Sequence, residues 1–191
     1  MNRVSAVALL TIVAMASAFG QRGEGARIAI KRALDPAAAT IPKTPVKTTV
    51  EDLLAAVRPP ALQPDSKGAE YQNRRIGPLE NTMWQVTATI KQIILRADGD
   101  YYMVIEGASG ARTVVEVPDP RLCPKSKLIK QIQHVRNMLA KRFGPTPMPQ
   151  DVNQKATITG VGFFGMQGRS LQGRQNNGAR LMPGIDISFD K

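Results

Sequence analysis

The chain of 191 residues is long enough for one domain of ordinary size with extensions, and its 42% hydrophobic residues are compatible with a packed core. A formal net charge of +11 favours anionic partners through the long-range field, although charge alone does not specify one. The single cysteine, Cys123, excludes an intrachain disulfide, and together with the single histidine it excludes a Cys/His zinc site.

Residues 1–20 have the pattern of a secretory signal peptide. Arg3 precedes an apolar run over 4–18, and the small residues Ala18 and Gly20 suit cleavage after Gly20, with 16–18 as a competing site. The run is shorter than the ~20 residues that a membrane-spanning helix requires. We therefore expect an exported protein, secreted or periplasmic, whose mature chain has no transmembrane span; an uncleaved N-terminal anchor is the alternative.

Residues 21–75 are basic and rich in proline, and they have no sustained apolar period. This composition predicts an extended arm or linker that contributes no core. Within it, hydroxyl residues before Glu51 and Asp52 predict a short helix over 49–57. The basic residues Arg22, Arg27, Lys31 and Arg32 favour a solvated tail, with contact to a polyanion as the alternative.

Residues 83–117 predict a three-stranded antiparallel meander with glycine-bearing turns at 97–100 and 107–110. Apolar and polar residues alternate over 84–91, which predicts a half-buried strand with Trp84 in the core. The alternation is lost after Lys91, so we expect a bulge or bend near Gln92. The second and third strands are expected over 101–106 and 112–117, and prolines end the meander at Pro118 and Pro120.

A helix is predicted over residues 127–143, with Ser126 as its N-cap and Gly144-Pro145 as its stop. One apolar stripe follows the helical period: Leu128, Ile132, Val135, Leu139 and Phe143. We expect this helix to lie across the open end of a barrel, with His134 solvated or partly packed.

Two further strands are predicted over 155–164 and 185–189, with 180–184 as a candidate entry to the second. Residues 165–180 between them are rich in glycine, glutamine, asparagine and arginine and contain little to bury, so they predict a long loop.

Three strands, a helix and two strands, in the order β-β-β-α-β-β, match the OB-fold. In that five-stranded barrel, ligands bind strands two and three and the loops that join strands one to two and four to five. The sequence thus predicts a mostly β, OB-fold-like barrel domain over 76–191. Another small α+β or β-barrel topology with the same order stays open.

Several short segments also resemble, in this order, a family of bacterial exported OB-like domains: RRIGPLENTMWQVTATI, DGDYYMVIEG, EVPDP with a nearby cysteine, ITGVGFF, and RLMPG after a glycine-rich stretch. The resemblance covers residues 74–189 and implies the OB-like fold and export; it carries no activity with it. Members often have histidine at the positions that match Tyr102, Met166 and Met182. This chain has none of the three, so a metal or catalytic site that such histidines form in relatives is absent.

The loop before the last strand is the predicted binding site. Its arginines, with a lysine on the preceding strand, could contact phosphates or carboxylates: Arg169, Arg174, Arg180 and Lys155. One of Tyr101 and Tyr102 is expected to face outward, because neighbours in a strand point oppositely, and its ring could stack on a base or a sugar. The sequence therefore predicts a binding domain for an extended polyanion, single-stranded nucleic acid or acidic polysaccharide, with no cofactor.

Two other classes of function stay open. An exported adaptor would dock its proline-rich arm and barrel edge on an envelope protein. A metal-dependent phosphodiesterase would need grouped carboxylates, but turn chemistry and cross-strand pairing account for Asp98, Asp100, Glu106, Glu116, Asp119 and Asp186. The chain has no CxxC, HExxH, GxSxG or phosphate-loop motif, so no catalytic residue or metal ligand is predicted, and the sequence assigns no oligomeric state.

Overall fold

The computed structural model describes residues 27–62, 71, 73–165, 167–170, 173–175 and 177–190, with the backbone alone for 168–170 and 173–175. The predicted signal peptide and Met166 lie outside the described residues. The strands are β1 Val46–Thr48, β2 Met83–Leu95, β3 Tyr101–Glu106, β4 Arg112–Val117, β5 Gln150–Phe164, β6 Gly168–Ser170, β7 Gly173–Gln175 and β8 Ala179–Phe189. The α-helices are α1 Ile28–Lys31, α2 Val50–Ala55 and α3 Ile129–Phe143, with 3-10 turns at Pro36–Thr40, Leu79–Asn81 and Pro120–Leu122.

The protein is mostly β, built on a six-stranded sheet with the order β1-β2-β3-β4-β8-β5. A further pairing of β2 with β5 brings the two sides of the sheet together into a ring. The ring is not a clean barrel, because β4 and β8 meet in parallel through a single residue pair, Val115 with Leu181. The small strand β1 adds to β2 in parallel, and β6 with β7 forms a separate hairpin.

The meander is confirmed by the structure. Strands β3 and β4 have the predicted limits, and the register of β2 shifts between Ile90 and Gln92, where the bulge was expected. Gly99 and Gly110 have φ of 84° and 82°, a conformation that side-chain-bearing residues rarely adopt. Trp84 is only half-buried, and its indole Nε1 donates to the Leu79 carbonyl at 2.9 Å.

Helix α3 buries the predicted apolar stripe. Ile132, Val135 and Leu139 are buried in the main core, and Phe143 is partly buried against it. The predicted cap is two residues too early: Leu128 is the N-cap, and Ser126 Oγ instead accepts from the Leu128 N–H at 3.2 Å. Gly144 ends the helix with φ of 67°, as predicted. No helix in the described part of the chain is long and apolar enough to cross a membrane.

The N-terminal segment differs from the extended arm predicted for residues 21–75. Ile30, Ala33, Val50 and Leu53 are 0–2% exposed and lie in the core. The expected short helix is present as α2, with Thr49 Oγ1 accepting from the Asp52 N–H. Composition predicted a linker because apolar residues are sparse here, but ion pairs with distant parts of the chain allow the charged residues to be buried.

Two buried ion pairs attach this segment to the rest of the protein, and a third joins two distant positions within it. Arg27 pairs with Glu80 at 2.6 Å, Lys31 with Glu116 at 2.7 Å, and Arg75 with Asp35 at 2.7 Å. All six side chains are 7% exposed or less. The basic residues Arg27, Lys31 and Arg32 are therefore part of the folded core and do not form a solvated tail.

The C-terminal strands are longer than expected. Strand β5 starts at Gln150 and β8 at Ala179, and a short hairpin of β6 and β7 occupies part of the predicted loop over 165–180. Arg169 and Arg174 face each other in the register of that hairpin.

Candidate anion-binding surface

The predicted binding residues do not form one surface among the described side chains. Arg180 is 6% exposed, and its Nη1 lies 3.3 Å from Glu116 Oε1. Lys155 is exposed on β5 and lies 3.9 Å from Asp190. For Arg169 and Arg174 the structure describes the backbone alone, so their binding role stays a prediction.

The two tyrosines lie on opposite faces of β3, as expected, yet both are buried. Tyr101 is 3% exposed in the main core, its hydroxyl donates to the Gly144 carbonyl at 3.1 Å, and burial raises its pKa. Tyr102 is 5% exposed and belongs to a separate apolar cluster, with the Arg96 guanidinium 5.3 Å from its ring centroid. The expected outward ring is covered, so neither tyrosine offers a surface for stacking.

Two of the acidic residues weighed for catalysis, Glu106 and Asp119, are paired with nearby arginines, whereas Asp100 and Glu116 face Lys31. Glu106 and Arg112 are cross-strand partners at 2.6 Å, as the sequence suggested. Hydrogen bonds from Arg121 hold the pKa of the Asp119 carboxyl below its usual range.

Burial raises the pKa of Cys123, whose Sγ donates to the Asp119 carbonyl. Among the described residues, no three His, Cys, Asp or Glu side chains are grouped so that they could hold a metal ion.

A different set of cations surrounds helix α3. From Arg121 to Gln150, both included, the sequence contains seven arginine or lysine residues and no aspartate or glutamate. The lysines Lys125, Lys127, Lys130 and Lys141 are exposed, and we call these four residues the basic face. Lys130 and Lys141 lie in α3 on the side opposite its buried stripe, and Lys125 and Lys127 lie in the turns just before the helix.

The first turns of α3 border a cleft of about 730 Å³ between this helix, the Pro36–Thr40 turn and strands β2, β5 and β8. We call it the helix cleft. Its floor is apolar, with Ile41, Met83, Leu128 and Ile185 among its buried residues. Its rim is cationic, since Lys43, Lys127 and Lys130 line it together with His134.

Asp186 is the one carboxylate among the described residues that line the helix cleft. Three ammonium groups therefore face a single negative charge, and a site with this excess attracts anions. His134, interpreted from sequence as solvated or partly packed, is exposed and belongs to this rim.

Neither Lys127 nor Lys130 was predicted as a binding residue. A signal was present, because an acid-free basic run on an exposed helix indicates an anion-binding surface. Lys43 could not have been found in this way. It follows the Pro36–Thr40 turn, and only the fold brings this part of the chain beside α3.

Comparisons of the chain with family models, with curated proteins and with solved structures find no match.

Proposed function

We propose that this protein is an exported, OB-like domain that binds an extended polyanion along the basic face of helix α3 and the rim of the helix cleft. The observation that carries the proposal is the acid-free run of exposed cations bordering a cleft with one carboxylate. A single-sign surface of this kind raises the local concentration of anions and speeds their association.

The spread of the charges favours a polymer over a small anion. Lys130 and Lys141 lie near opposite ends of α3, and a rise of 1.5 Å per residue separates them by about 16 Å along the axis. Lys127 lies just before the helix and lengthens this row of charges. A small anion would reach the charges at one end alone. An extended polymer would contact several lysines and release a counterion at each contact.

The burial or partial burial of the aromatic side chains in the described part of the chain favours an acidic polysaccharide over single-stranded nucleic acid. Proteins that bind single strands commonly stack bases on aromatic side chains. Within the described residues no tryptophan, tyrosine or phenylalanine is exposed, and Tyr101 and Tyr102 are both buried. The surface therefore recognises charge spacing, which a sulfated or uronic-acid polymer supplies without bases.

The OB-like part of the proposal is supported by the five-strand ring β2-β3-β4-β8-β5. It is also supported by the position of helix α3 in the chain between β4 and β5, which are the third and fourth strands of the ring in chain order. Export is proposed on the N-terminal sequence pattern alone. The adaptor function is the second candidate, and Val57 and Met148, at 88% and 75%, are the most exposed large apolar side chains among the described residues that such a partner would cover.

Salt dependence of binding to heparin tests the proposal. If three lysines engage the polymer and each contact releases counterions as on a single-stranded nucleic acid, about 0.7 per contact, log affinity should fall against log salt with a slope of roughly −2. Substitution of Lys43, Lys127 and Lys130 by alanine should flatten this slope and weaken binding, with the melting temperature nearly unchanged because all three side chains are exposed.

A matched variant with Arg169 and Arg174 replaced by alanine tests the loop predicted from sequence. Unchanged binding by the lysine variant and weakened binding by the arginine variant would move the site to that loop. A stronger response to oligothymidylate than to heparin of equal charge would contradict the polysaccharide preference. No binding to either polymer at low salt would refute the proposal and leave the adaptor function ahead.

A further inference from the structure

A buried lysine lies between two buried carboxylates at the junction of α1 with the meander. Lys31 Nζ is 2.7 Å from Glu116 Oε2 and 3.5 Å from Asp100 Oδ2. The Lys31 side chain is 5% exposed, and those of Asp100 and Glu116 are 0% exposed. Asp100 directly precedes β3 and Glu116 lies in β4, so the fold brings three distant parts of the sequence to one point.

The two oxygens of Asp100 have different surroundings. Oδ1 accepts a hydrogen bond from the Asp119 backbone N–H at 2.8 Å. Oδ2 is fully buried and accepts no hydrogen bond from the described residues, and it faces Lys31. Arg32 Nη2 is 3.9 Å from the same oxygen. One oxygen of this carboxylate is thus fixed by an N–H and the other lies beside the lysine nitrogen, so two groups that can form an amide are held close together in a buried site.

We propose that Lys31 and Asp100 form an intramolecular isopeptide bond, with Glu116 as the proton carrier. Glu116 takes a proton from the Lys31 ammonium group and passes it to Oδ2 of Asp100, and the neutral amine then attacks Cγ of the carboxylic acid. The new Nζ–Cγ bond forms, Glu116 carries a second proton from the nitrogen to Oδ2, and the Cγ–Oδ2 bond breaks. Oδ2 leaves as water with two protons of the former ammonium group, so the products are one amide and one water molecule. No oxidant, reductant or other reactant is needed.

The neighbouring groups suit each stage of this step. Negative charge that develops on Oδ1 is stabilised by the Asp119 N–H, which already points at it. Arg180 Nη1, 3.3 Å from Glu116 Oε1, holds that carboxylate so that Oε2 faces the lysine. Burial keeps bulk water from the reacting atoms, and fixed proximity replaces the encounter that two free groups would require.

The bond would connect helix α1 covalently to the turn between β2 and β3. The single cysteine leaves the chain without an intrachain disulfide, and an amide is not broken by reductants. Such a cross-link closes a long loop and restricts the unfolded chain, which is how a covalent bridge stabilises a protein.

Peptide mapping of the purified protein by mass spectrometry tests the proposal directly. After unfolding and trypsin digestion, residues 28–32 should be joined to residues 97–112, with no cleavage after Lys31 and a mass one water molecule below the sum of the two peptides. Lys31→Arg keeps the positive charge but should give the two peptides separately. Lys155→Arg, at an exposed lysine that also lies near a carboxylate, should leave the joined peptide unchanged.

Glu116→Gln separates the roles of the two acids, because the amide keeps the shape of the side chain but does not carry the proton. It should abolish the joined peptide or slow its appearance at least tenfold. Recovery of residues 28–31 and 97–112 as separate peptides from the wild-type protein would overturn the proposal, and this result does not depend on whether any variant folds. A link from residues 28–32 to residues 113–121 would also overturn it, since Glu116 would then be the acyl group.

Discussion

Replacing Arg27 by methionine tests whether the N-terminal segment belongs to the folded core. The guanidinium donates to both oxygens of Glu80, at 2.7 and 2.6 Å, and the side chains of the pair are 7% and 0% exposed. Methionine keeps most of the packing against Phe163, whose ring centroid lies 5.0 Å from the guanidinium carbon. The substitution therefore removes the charge and leaves the Glu80 carboxylate buried.

Loss of one partner from a buried pair costs about 3–5 kcal/mol. The lower end applies here, since Glu80 still accepts from the backbone N–H groups of Ile76 and Phe164, at 2.7 and 2.9 Å. A loss of about 3 kcal/mol with a urea slope of about 2 kcal/mol per molar lowers the unfolding midpoint by roughly 1.5 M. Urea unfolding at neutral pH, followed by circular dichroism, measures this shift.

Lys155→Met is the matched control, because its partner Asp190 is 3.9 Å away and the lysine side chain is 64% exposed. That variant should lose less than about 1 kcal/mol. Adding Glu80→Gln to Arg27→Met should cost less than the sum of the two single changes, because no charge is then left buried without a partner. If Arg27→Met unfolds within about 1 kcal/mol of the wild type, residues 27–35 are dispensable and the arm predicted from composition is correct.

Two further predictions concern the helix and one acidic turn. Ile132→Asp should abolish cooperative thermal unfolding, because Ile132 is 0% exposed and the new charge would be buried beneath α3 without a partner. The control Gln133→Asp, on the exposed side of the helix, should melt near the wild-type temperature. Asp119→Asn should lower the urea midpoint at neutral pH. The pKa of Asp119 is depressed in the folded protein, so its stabilisation is present above its unfolded pKa of about 3.9 and is lost as pH falls through the folded pKa. The midpoints of wild type and variant should therefore converge below about pH 4, and a constant difference down to pH 2 would contradict this account.

The regular elements were readable from the sequence because their signals are local. Alternation over 84–91, the loss of alternation at Gln92 and the turn glycines Gly99 and Gly110 each depend on residues a few positions apart. The same holds for the helix, whose stripe of Ile132, Val135 and Leu139 requires only the helical period. The N-cap was misplaced by two residues because Ser126 forms its hydrogen bond in the preceding turn.

The binding surface was readable only in part. The acid-free run after Arg121 is visible in the sequence, and it marks the basic face of α3. The helix cleft is not visible, because Lys43 and Asp186 join Lys127 only when the Pro36–Thr40 turn and β8 pack beside the helix. Arg180 was predicted to be an exposed loop cation because its partner, Glu116, lies 64 residues away in the sequence. Only the packing of β4 beside β8 brings the two side chains together.

What the sequence by itself determined is the set of strands, turns and the helix, along with the excess of positive charge. Tertiary structure alone decided which charges are buried. A basic, proline-rich segment has the composition of a solvated linker, and burying its cations is unfavourable unless each meets a carboxylate. Arg27 and Lys31 meet Glu80 and Glu116 across long stretches of chain, so their burial depends on long-range pairing, which no local pattern reports.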